Sequence, residues 1–69
     1  MNRYAVAYIN FYDNELSIKL TKANNWREAV DNTFKIFEEM GVVDISDDIE
    51  EAKREAFDAD FMFDVILIP

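Results

Sequence analysis

A chain of 69 residues without a cysteine predicts one domain over residues 1–69 and excludes both a disulfide framework and a thiolate metal site. Its net charge of −8 is unevenly placed: residues 1–37 hold four acids against five bases, while residues 38–69 hold eleven acids against Lys53 and Arg54 alone. That balance disfavours direct binding to nucleic acid or to an acidic membrane, because both require a basic footprint.

Met1-Asn2-Arg3-Tyr4 runs directly into alternating residues with no apolar h-region, so no signal peptide is expected. The longest apolar run, residues 65–68, falls far short of the roughly 20 residues a membrane helix needs, and a cytoplasmic location is expected. Residues 4–12 and 15–22 read as a β-hairpin. The first segment is rich in aromatic and β-branched residues, and Leu16, Ile18 and Leu20 alternate with Ser17, Lys19 and Thr21. A two-residue turn at Asp13-Asn14 would set Phe11 opposite Leu16, Ile9 opposite Ile18 and Ala7 opposite Leu20 on one face.

Asn25 followed by Glu28 is an Asn-x-x-Glu variant of the capping box. Trp26, Ala29, Val30, Phe34, Phe37 and Met40 then recur at helical spacing, and Gly41 stands where a helix-terminating residue belongs. The outer positions Arg27, Asp31, Lys35 and Glu39 alternate in sign. Residues 42–45 read as a connector. Ser46 is the expected cap of a second helix over about 47–58, with a thin stripe of Ile49, Ala52, Ala56 and Phe57 and a Glu50–Arg54 pair. Residues 61–68 read as a strand apolar on both faces except at Asp64.

The order β-β-α-α-β predicts an α+β fold: a three-stranded antiparallel or mixed sheet with two helices on one face and the N-terminal strand central. Small Ala5 and Ala7 are expected beneath the Trp26/Phe34/Phe37 stripe, together with Phe61, Phe63, Val65 and Leu67. The opposite face would then show Tyr4, Val6, Tyr8, Tyr12, Met62, Ile66 and Ile68, and a homodimer interface is expected at Tyr4, Val6, Tyr8, Met62, Ile66 and Ile68.

No enzyme is expected. His and Cys are absent, Ser17 and Ser46 lack a nucleophile-elbow setting, and a single glycine excludes every glycine-rich phosphate loop. No cofactor is expected either. The carboxylates Asp44, Asp47, Asp48 and Glu51, or Asp58, Asp60 and Asp64, fail the calcium-loop pattern for want of its glycine, and no metal site is assigned.

Acids in a first helical turn complement the helix dipole, which accounts for Asp47, Asp48 and Glu50. Asp47, Glu51 and Glu55 at i, i+4, i+8, with Asp58 near their end, form a ridge of like charge that costs a helix stability. A 12-residue helix is about 18 Å long and spans about five phosphates of a DNA strand. The residues Asp47, Asp48, Glu50, Glu51, Glu55 and Asp58 are therefore the candidate partner-binding set, a phosphate-like face for a basic nucleic-acid-binding protein.

Small size, the lack of Cys and His, the Tyr-rich hairpin, the run Asn24-Asn25-Trp26-Arg27-Glu28-Ala29 and the one-sided carboxylates resemble the small acidic proteins that phages use to take over a host. Within that group the chain is most similar to DNA-mimic inhibitors, such as those that block histone-like HU proteins. The resemblance implies an inhibitor of a host DNA-binding protein in the bacterial cytoplasm. The hairpin followed by an amphipathic helix is also similar to small phage inhibitors of RNA polymerase. The alternative reading is accordingly an inhibitor or adaptor docked on a host enzyme, RNA polymerase or a defence nuclease, through its sheet face or Trp26 end. A third is a structural subunit assembling through its apolar sheet.

Overall fold

Aromatic and β-branched residues favour a pleated, half-buried setting, and the N-terminal segment forms the central strand of a three-stranded sheet in the computed structural model, which describes residues 1–35 and 46–69. In chain order the elements are β1 (Asn2–Asn10), β2 (Glu15–Ala23), α1 (Trp26–Thr33), α2 (Ile49–Asp58) and β3 (Phe61–Ile68). Sheet order is β2-β1-β3 and both pairings are antiparallel, so the β-β-α-α-β, α+β architecture stands.

The hairpin register differs from the expected one. Ile9 faces Leu16, Ala7 faces Ile18 and Ala5 faces Leu20, and the connection is the four-residue stretch 11–14. A two-residue turn of the expected type needs positive φ at both central positions; of Asp13 and Asn14 only Asn14 has it, at 54°. Local hydrogen bonding favours the longer loop instead. The Asn10 side chain accepts from Tyr12 N at 2.8 Å, and Asn14 N donates to the Asn10 carbonyl at 2.7 Å.

The larger correction concerns which sheet face is covered. Tyr4, Val6, Phe61 and Phe63 are buried in one cluster with Ala29 and Val30 of α1 and Ala52 and Ala56 of α2, with Tyr8 and Val65 packed against it. Ala5, Ala7, Leu16, Ile18 and Leu20, expected beneath the helices, lie on the other face. Small residues do permit close approach, but here the helices supply them: Ala29, Ala52 and Ala56 let both helices settle onto bulky sheet side chains. Phe61, Phe63 and Val65 do point into the core as expected. Leu67 shares their face and stays exposed.

Helix α1 begins as expected, with the Asn25 side chain accepting from Glu28 N at 2.9 Å. It ends at Thr33, well before Gly41, with Phe34 as C-cap and Lys35 at φ 50°. Phe37, Glu39, Met40, Gly41 and the connector 42–45 lie outside the described residues. Helix α2 starts two residues later than expected, and Asp48 rather than Ser46 caps it by accepting from Glu50 N at 3.0 Å. Ser46 supports the cap from outside, accepting from Asp48 N at 3.1 Å.

Candidate functional surfaces

The acidic candidates gather along α2 and the turn before it. Their availability is uneven. Asp47 pairs with Arg27 at 2.9 Å, which brings the turn onto α1, and the Asp47 carbonyl accepts from Trp26 Nε1 at 3.3 Å. Asp48 is committed to its own helix terminus. Glu50 lies 3.7 Å from Lys53, one turn on, instead of pairing with Arg54. Glu51 accepts from Ser46 Oγ at 3.3 Å, and Glu55 is half-buried with Oε2 out of contact with solvent and without a hydrogen-bond partner. Asp58 is exposed.

Among the described residues no Lys or Arg lies within ion-pair distance of Glu51, Glu55 or Asp58. The ten-residue helix spans about 15 Å, or about four phosphates of one strand. Four of the six carboxylates, Asp47, Asp48, Glu50 and Glu51, make contacts within the molecule, so they are not all equally available to a partner. The local excess of negative charge does persist, since residues 46–60 hold Asp47, Asp48, Glu50, Glu51, Glu55, Asp58 and Asp60 against Lys53 and Arg54.

Where α2 ends, the hairpin loop meets it. Phe11 N donates to the Asp60 carbonyl at 3.1 Å, and the Phe11 ring stands edge-on to Phe57 at 5.5 Å. Tyr12 Oη donates to Asp60 Oδ2 at 3.1 Å, and that hydrogen bond holds the phenol above its ordinary pKa. Asp60 itself takes φ 69°, the turn conformation its short polar side chain tolerates. On the far edge, Lys53 bonds Asp64 at 2.8 Å; the contact lowers the Asp64 carboxyl pKa and raises that of the lysine.

The second surface is the open sheet face. Register places Leu20, Ala5 and Ile66 in one row, Ile18, Ala7 and Asp64 in the next, and Leu16, Ile9 and Met62 in a third. Leu16, Ile18 and Leu20 are 64%, 62% and 72% exposed. Met62 and Ile66 are exposed as well. Of the six residues expected to form the dimer interface, these two and Ile68 lie on this face. Tyr4, Val6 and Tyr8 do not, because they point into the core. The residues missed were Leu16, Ile18 and Leu20, whose apolar alternation was legible but whose side of the sheet was not.

Among the described residues no three potential metal-ligating side chains converge, and no helix is long and apolar enough to cross a membrane. No protein-family model matches the chain, and no curated protein or solved structure matches it.

Proposed function

We propose that the chain is a binding protein that engages a basic macromolecular surface through the acidic layer of α2. Within that class we infer an inhibitor of a nucleic-acid-binding protein. One observation carries this reading: the negative charge left on α2 after the molecule's own ion pairs are counted. Glu51 and Asp58 face outward without a cation among the described residues, and Asp60 lies just beyond the helix. Such a field raises the association rate of a basic partner and makes binding fall with salt. The resemblance to DNA-mimic inhibitors in layout and charge supports the same partner class. No catalytic role is proposed.

The test is capture from a bacterial lysate at low and high salt. A basic DNA-binding protein is expected to bind at low salt, to elute as salt rises, and to be competed by duplex DNA. The double substitution Glu51→Lys with Asp58→Lys is expected to weaken capture by at least about tenfold, since both reverse exposed charges. Affinity that survives high salt and ignores added DNA would end the reading. A second reading, an inhibitor or adaptor docked on a host enzyme, is favoured by the exposed Leu16, Ile18 and Leu20 on the open sheet face. In that case Ile18→Asp abolishes capture and the charge reversals leave it unchanged.

A further inference from the structure

The open sheet face has a shape of its own. Ala5 and Ala7 of β1 form a trough between a ridge of Leu16, Ile18 and Leu20 on β2 and the row Met62, Asp64 and Ile66 on β3. At one end the trough deepens into a shallow apolar depression of about 170 Å³ that includes Ala7, Ile9, Leu16 and Met62 in its lining. We propose that this face is the interface of a symmetric homodimer, with a second copy of the chain as its occupant.

Complementarity to itself is what favours a second copy over a foreign protein. In a two-fold pair, every contact of one copy on the other is returned. A β2 ridge laid over the partner's alanine trough is thus matched by the partner's ridge over the first trough, and one surface supplies both halves of the fit. The area is also sufficient. Leu16, Ile18, Leu20 and Ile66, each more than half exposed, and Met62 at 49% present on the order of 500 Å² per copy, at roughly 100 Å² each. The pair would bury about 1,000 Å², where specific interfaces begin.

Charge permits the same arrangement despite a net −8 per copy. Among the paired positions of this face the sole acid is Asp64, on edge strand β3 and bonded to Lys53; Arg3 and Lys22 lie at one end. Sheets stacked face to face stand about 10 Å apart, and each α2 packs behind its own sheet. The two acidic layers therefore point outward, separated by much more than the Debye length of about 8 Å at physiological salt. A dimer of this kind displays two acidic surfaces on opposite sides.

Sedimentation equilibrium from low micromolar to several hundred micromolar tests the proposal. Wild type is expected to approach twice the 8.1 kDa chain mass and to remain associated at high salt. Ile18→Asp places a carboxylate in the interface twice and is expected to weaken association about a hundred-fold or more. Ala7→Leu fills the trough without adding charge and is expected to weaken it at least about tenfold. Circular dichroism checks that both variants keep the fold, and mixed-label methyl NOEs between Leu20 or Ile18 of one copy and Ala5 or Ala7 of the other check the geometry. A wild type that stays monomeric at several hundred micromolar overturns the proposal, even if a foreign protein binds the face. So does a dimer indifferent to both substitutions. Loss of the salt-sensitive partner with an intact dimer would instead count against the acidic-surface reading alone.

Discussion

Lys53 reaches from α2 over the edge of the sheet to Asp64, and the hydrogen bond between them moves both groups away from their ordinary pKa values. Asp64 titrates below its usual value when folded. Its contribution is therefore fully present above the unfolded carboxylate pKa and is lost as pH falls through the lower folded value. The Asp64 side chain is 54% exposed, so the pair is worth no more than about 1 kcal/mol. Asp64→Asn is expected to lower urea stability at neutral pH and to converge on wild type in acid, once the pH has fallen through the lowered folded value of Asp64 and both lack the charge. A difference that persisted in acid would mean packing, rather than the ion pair, is what Asp64 supplies. Glu55 shows the limit of reading single residues from spacing. Helical periodicity assigned it to an exposed ridge, yet one of its carboxylate oxygens is buried, which only the packed neighbours could decide.

At the scale of elements, the starts of helices were more legible than their ends. The Asn25 cap is a local contact between residues three apart, so sequence alone carried it. The end of α1 was misplaced because Gly41 is the preferred terminator and Lys35 is not, although Lys35 is the residue in the left-handed region, at φ 50°. A non-glycine residue there bears a steric cost of about 1–2 kcal/mol, part of which a more flexible unfolded chain cancels. Lys35→Gly is accordingly expected to stabilise the fold by about 0.5–1 kcal/mol in urea denaturation, and a destabilised variant would contradict this account of the helix end. The second cap moved from Ser46 to Asp48 because two capping residues stand two positions apart, and both are used in series.

For the molecule as a whole, charge separation is the dominant electrostatic feature. The acidic turn and α2 repel themselves at low ionic strength, with only Arg27 and Lys53 close enough to compensate among the described residues. Raising salt screens that repulsion. The melting temperature is expected to rise by several degrees between about 0.01 M and 0.5 M NaCl, as a gain of about 1 kcal/mol implies for a domain this size. A melting temperature that fell over the same range would show that the ion pairs outweigh the repulsion. Salt thus strengthens the fold and weakens binding of a basic partner, and these opposite signs separate stability from function.

Local rules were sufficient for what the sequence alone determined: the three strands and two helices seen among the described residues, in their order, the central place of the N-terminal strand, the Asn25 cap, and the crowding of carboxylates toward the C-terminal half. Each depends on period, on neighbours a few residues apart or on composition. Only the tertiary structure decided which sheet face the helices cover. Both faces of β1 and β3 are apolar enough to be buried, so alternation could establish that two faces exist without choosing between them. The choice fell to volume, with alanines on α1 and α2 accepting Tyr4, Val6, Phe61 and Phe63 and leaving the Leu16, Ile18 and Leu20 ridge facing outward.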